Sequence, residues 1–209
     1  MTMPPAMQEK RGVLDRRSVE DRRAQIAAAA LRCLQQVGHA GLTARKVAAE
    51  AGISLGHISY HFKDMDAVLV AGFKLAADQV QAAGRAQLET RGGTPTERMD
   101  RFLRAGFASD LMTPAHLRLR IDLWSAAQTQ STIAAVERNL YDSHRAALEG
   151  LLDQMAADYA VERVPVVADM IMATLDGLWL DWLRRGDGAA VKNGLDGCVL
   201  FARLRLGGS

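Results

Sequence analysis

Cysteine is almost absent from this 209-residue chain: only Cys33 and Cys198 occur, each within a helical pattern. That excludes a disulfide framework and fits a reducing compartment, with both thiols read as small core residues. Aromatic residues make up only 5% of the sequence while Ala and Leu are abundant, which argues against a β-rich fold and for an all-α one. No stretch approaches the roughly 18 uncharged apolar residues of a membrane span. The N-terminus is charged from Glu9 onward and has no apolar signal core. An enzyme in a helical bundle would need a constellation such as paired Glu-x-x-His motifs, and no Glu-x-x-His occurs. These absences lead us to expect a cytoplasmic protein with no membrane partner that is not an enzyme and has neither metal nor cofactor.

What is present is unevenly placed. The net charge of +2 conceals a basic front: through Lys63 there are ten Lys and Arg against five acids, about +5, which leaves about −3 for the rest. A basic head on a mildly acidic body suits a nucleic-acid partner, whereas a helical scaffold would carry such a head by accident. The chain is long enough for one domain or two fused ones.

Residues 1–18, with Pro4, Pro5, Gly12 and mixed charges, read as a flexible basic arm. From about Ser18 the positions Ile26, Ala29, Ala30, Cys33, Leu34 and Val37 recur at helical spacing up to Gly38. Thr43 can cap a second, short helix through Val47, Ala48 and Ala51, which Gly52 closes. Ile53 plugs inward, Ser54 can cap a third helix bearing Ile58 and Phe62 on one face, and Asp64 can cap a longer one running to about Arg85 or further. Polar residues 91–96 read as a loop. Helices are then expected over about 98–111, 114–129, 131–159, 164–185 and 189–206. The segment from Val164 is apolar on most faces, so it must be covered from several sides.

Residues Thr43 to Phe62 supply a short helix, a tight turn and a second short helix, the parts of a helix-turn-helix. Gly52 permits the positive φ of the turn, and Gly56 lets backbone approach a phosphate. The exposed positions are Ser54, Leu55, His57, Tyr60, His61 and Lys63. His57 and His61, four apart, form a conceivable metal half-site, but no third ligand or intervening glutamate accompanies them.

The string Leu42-Thr43-x-x-x-Val47-Ala48-x-x-Ala51-Gly52-Ile53-Ser54-x-Gly56-x-Ile58-x-x-x-Phe62, followed by Val68-Leu69, resembles the N-terminal signature of the TetR family. The usual tyrosine before the phenylalanine and lysine three residues after it are here His61 and Met65, leaving Tyr60 or Lys63 to substitute. The resemblance implies a TetR-like fold: a helix-turn-helix DNA-binding domain over 19–64 and a ligand-binding and dimerisation domain over 65–209. By it, Thr43 touches a phosphate and Arg45 and His57 read base edges, Arg45 being suited to bidentate contact with guanine. Tyr60, His61 and Lys63 then make phosphate or flanking contacts.

Leu123-Trp124-Ser125-Ala126-Ala127 and Leu175-Asp176-Gly177-Leu178-Trp179-Leu180 are similar to strings in the BetI-type, choline-responsive branch of that family. This implies a homodimer whose last two helices pair across a two-fold axis, and a repressor released from a palindromic operator by a small molecule. A choline-like cation would call for aromatic faces and a carboxylate, for which Trp124, Tyr141, Trp179 and Trp182 with Asp122 or Asp176 are the candidates. The same tryptophans could instead fill the core or the dimer seam.

Overall fold

The computed structural model describes residues 5–90 and 92–207, and among them there are helices and no strand. The α-helices are α1 (Pro5–Val37), α2 (Ala44–Ala51), α3 (Leu55–His61), α4 (Met65–Glu89), α5 (Pro95–Ala105), α6 (Pro114–Ala127), α7 (Ser131–Asp153), α8 (Val164–Arg185) and α9 (Gly188–Leu206). A short 3-10 helix (Asp158–Arg163) links α7 to α8. The chain divides into two compact units, Met1–Ala76 and Ala77–Ser209.

In the first unit, Ile26, Ala29, Ala30 and Cys33 of α1 close over Val47, Ala48 and Ala51 of α2, Ile58 of α3, Phe62 and Val68. Alanine is frequent because two short helices must converge on α1 with little side-chain volume between them. Gly72 of α4 extends this economy: a Cβ there would lie 2.9 Å from Leu34 Cδ1 and 3.3 Å from Ala30 Cβ. The first turns of α4 thus belong to this core, which takes the unit past the boundary expected near Asp64. Phe62 is 4% exposed, and truncating it to alanine would cost about 3–5 kcal/mol.

The second unit is a bundle around Met99, Phe102 and Leu103 of α5, Leu148 and Leu151 of α7, Val167, Ile171 and Leu175 of α8, and Leu195, Cys198 and Ala202 of α9. Ion pairs tie its helices: Arg104 to Asp196 (2.5 Å), Arg120 to Asp176 (3.0 Å) and Arg145 to Asp169 (2.9 Å). Both cysteines are buried and free, as core residues should be. No helix among the described residues is long and apolar enough to cross a membrane.

Several boundaries differ from the periodicity, among them the end of α5 at Ala105 rather than near Leu111. Residues 1–4 of the expected arm lie outside the described residues, while the backbone from Pro5 continues α1. Extending a helix avoids the cost of nucleating one, so the good helix formers of 6–11 carry it across Gly12. Helix α5 starts at Pro95 rather than near Arg98, because Thr94 and Glu97 form a reciprocal capping box inside what reads as a polar loop. Helix α7 stops at Asp153 rather than near Tyr159; the Ala157 N–H leaves the helical ladder and donates to the Leu206 carbonyl at 3.0 Å.

Candidate nucleic-acid interface and ligand cavity

The turn between α2 and α3 is built as its sequence demands. Thr43 Oγ1 accepts from the Lys46 N–H at 3.3 Å, opening α2, and Gly52 closes it with φ 66°. The Ile53 N–H returns to the Ala48 carbonyl at 3.0 Å, and the Ile53 side chain packs partly buried against the core. Ile58 and Phe62 are buried together, which fixes the rotation of α3 and turns its other face outward. Asp64 accepts from the Ala67 N–H at 2.8 Å, starting α4.

That outward face carries the expected residues. Thr43, Arg45, Ser54, Leu55, Gly56, His57, Tyr60 and Lys63 are exposed, and His61 is partly so. Leu55 is 49% and Tyr60 79% exposed. Ser54 occupies the N-cap position of α3, but its hydroxyl makes no capping bond; Oγ pairs with His57 Nδ1 at 2.8 Å. This steadies the His57 ring and leaves Nε2 as its outward nitrogen.

Two arginines of α1 complete the surface, and sequence reasoning missed them. Arg23 donates to the His61 carbonyl and lies over the Phe62 ring at 4.4 Å, so a cation sits at the C-terminal end of α3. Arg22 lines a shallow depression with Ser54, Gly56, His57, Tyr60 and His61. Burial, then His57, Arg22 and Arg23, lower the His61 pKa from the ordinary histidine value. The only hint in the sequence was that Arg22 and Arg23 precede the apolar stripe of α1. Among the described residues no group of three or more His, Cys, Asp or Glu converges as a metal site.

A cavity inside the second unit is lined by residues of α4 to α8, with about 50 Å³ of free space. Trp124, Tyr141, Asp176 and Trp179, four of the six candidate ligand residues, line it together. Asp122 does not: two positions from Arg120 on α6, it points some 200° around the helix from that inward side chain. Trp182 also falls outside and packs in the apolar cores. Trp179 lines the cavity and is also 4% exposed in the core, with Phe107 4.9 Å and His116 6.0 Å from its ring.

The residues that dominate the cavity electrically were not foreseen. The Arg120 guanidinium lies 5.2 Å from the Trp124 ring and 5.0 Å from that of Trp179, and Nη2 donates to Asp176 at 3.0 Å. Its buried Nε has no hydrogen-bond partner. Glu137 of α7 contributes a second carboxylate whose pKa is raised by burial, Arg120 opposing. His144 stacks on Phe102 at 4.6 Å, and burial, then Arg120, push its pKa down to about 4. The spacing of Arg120 and Trp124, four apart on α6, was the available signal.

A basic head bearing a helix-turn-helix, joined in one chain to a helical bundle with an aromatic cavity, defines a helix-turn-helix transcriptional regulator. Residues 26–71 match the family described as bacterial regulatory proteins, tetR family, and residues 95–195 match the C-terminal domain of BetI-type transcriptional repressors. The HTH-type transcriptional regulator BetI of Cronobacter sakazakii (strain ATCC BAA-894) is 26% identical over 189 residues, 90% of this chain and 92% of that protein. A crystal structure described as that of a transcriptional regulator from Pseudomonas aeruginosa PAO1 superposes with a TM-score of 0.76 at 30% identity, covering 87% of this chain and 88% of the other. One from Saccharomonospora viridis, in complex with choline, superposes with a TM-score of 0.72 at 19% identity, covering 87% and 95%. The chain belongs to the TetR family and has a BetI-type C-terminal domain. Its relatives regulate transcription and are not enzymes.

Proposed function

We propose that this regulator is a cytoplasmic, homodimeric repressor that binds a palindromic operator through paired α2–α3 units and leaves it when a small molecule enters the cavity of the second unit. The observation that carries the DNA reading is α3: Ile58, and Phe62 just after the helix, are buried, while Leu55, His57 and Tyr60 are exposed, as is Arg45 of α2, on a basic head. Arg45 and His57 are assigned to base edges. Thr43 and the Gly56 backbone are assigned to phosphate, with Ser54, Leu55, Tyr60, His61 and Lys63 making flanking or phosphate contacts. The DNA contacts are assigned within residues 19–64, on a unit whose core takes in the first turns of α4, and effector binding with dimerisation within 65–209.

The dimer reading is supported by apolar side chains left outward on the last two helices. Val166 and Met170 on α8 and Leu200 and Leu204 on α9 are each more than half exposed, as two pairs four residues apart. Such a stripe suits a two-fold, self-complementary contact. Two recognition helices one duplex turn apart would then read a palindrome, and an effector favouring another spacing needs a coupling of about 1–3 kcal/mol to release it.

Trp124, Tyr141, Trp179 and Asp176 are assigned to the effector. The cavity offers the aromatic faces and carboxylate that a choline-like cation requires, but Arg120 already occupies them, so such a cation binds only by displacing the guanidinium.

Selection of bound duplexes from a random library tests the proposal. The wild-type dimer should enrich a palindrome, Arg45→Ala and His57→Ala should relax it at distinct positions, and affinity should fall steeply with salt. No enrichment by folded dimer at low salt would overturn the DNA reading, and a sedimentation mass of one chain at micromolar concentration would overturn the dimer.

A further inference from the structure

Two groups of opposite sign line the cavity, each with bonding capacity to spare. On α6, Arg120 commits Nη2 to Asp176 and its face to two indole rings, while its buried Nε donor has no partner. On α7, Glu137 lies close enough to feel the Arg120 charge, yet no ion pair joins them and no hydrogen bond engages the Glu137 carboxylate among the described residues. A buried donor and a partly desolvated carboxylate are both costly when unmatched. Both line the same aromatic cavity, which holds about 50 Å³ of free space.

A ligand with a single charge answers only one of these demands. A cation can pair with Glu137 but faces the guanidinium, which already holds the indole faces. An anion can take the Arg120 Nε donor but lies beside Asp176 and Glu137. We infer that the effector is a zwitterion with a compact apolar body, its carboxylate held by Arg120 and its cationic end by Glu137 and the ring of Tyr141. The rest of the wall, Phe107, Leu140 and Met172, is apolar and suits the body of such a molecule. The inference rests on the reading of the cavity as the effector site, and it replaces the choline-like cation as the ligand class.

Three compounds of one shape separate the possibilities: trimethylglycine carries both charges, choline keeps the cationic head with a hydroxyl in place of the carboxylate, and 3,3-dimethylbutanoate keeps the carboxylate with a neutral tert-butyl head. Calorimetric titration of the wild-type dimer should give saturable binding of trimethylglycine, at least about tenfold tighter than either partner compound. Arg120→Met should abolish the preference over choline, and Glu137→Gln the preference over 3,3-dimethylbutanoate, with circular dichroism and thermal melts confirming that both variants fold. Equal or tighter binding of choline or 3,3-dimethylbutanoate would overturn the zwitterion while keeping the cavity as an effector site. No binding of any of the three to a dimer that still holds its selected operator would overturn it too. Failure of the regulator reading itself would show separately, as the absence of any selected operator.

Discussion

His144 gives the molecule a calculable dependence on pH. Its imidazole is stacked on Phe102, and burial together with the Arg120 charge lowers its pKa from 6.5 to about 4. The unfolded chain therefore binds a proton at this residue that the folded chain refuses, so stability is full above the unfolded pKa and is lost as pH falls towards the folded one. At about 1.4 kcal/mol per unit the whole effect is about 3 kcal/mol, of which about 2 kcal/mol is lost between pH 7 and pH 5. Urea unfolding of wild type and His144→Gln at these two pH values, at matched protein concentration, isolates it. The variant loses stacking at every pH, a constant offset, but escapes the pH-dependent part. The wild type should thus lose about 2 kcal/mol more than the variant on acidification. Parallel losses would refute the reasoning, as would an NMR titration placing the His144 pKa near 6.5.

Other substitutions test separate features. Gly52→Ala should destabilise the head by about 1–2 kcal/mol, read by thermal melting, because φ 66° strains any L side chain although open space surrounds the position. Gly41→Ala places a Cβ 2.6 Å from the Val37 carbonyl oxygen, backbone that cannot swing aside, and should cost about 1–3 kcal/mol by chemical denaturation. Removing the Asp64 cap with Asp64→Ala should cost about 1 kcal/mol by the same measurement. By contrast Asp196→Asn, at the partly exposed pair with Arg104, should change stability by less than about 1 kcal/mol.

Where side chain and backbone rules coincide, the sequence was readable. Gly52, Thr43 and Asp64 each meet a local backbone demand, and they bracket α2, the turn and α4 as expected. Helix α8 was placed at about Val164–Arg185 by its apolar pattern, and Gly186 closes it there. The misses share a different cause. Thr94 and Glu97 look like loop residues until they are seen to cap each other, and Ser54, an orthodox N-cap, spends its hydroxyl on His57 instead. In the cavity, tryptophans and Asp176 could be nominated by type, but Arg120 could not. An arginine on an amphipathic helix defaults to solvent, and only the packing of α6 against α8 turns this one onto two indole rings.

On the dimer reading, the outward stripe of Val166, Met170, Leu200 and Leu204 sets how sharply genes answer to the amount of protein. If only paired subunits span both half-sites, then operator occupancy climbs with the square of subunit number while most subunits are single. Four aliphatic side chains that touch neither DNA nor effector would thereby fix the copy number at which silencing begins. A cell could retune that threshold by changing one of them, leaving both specificities as they were.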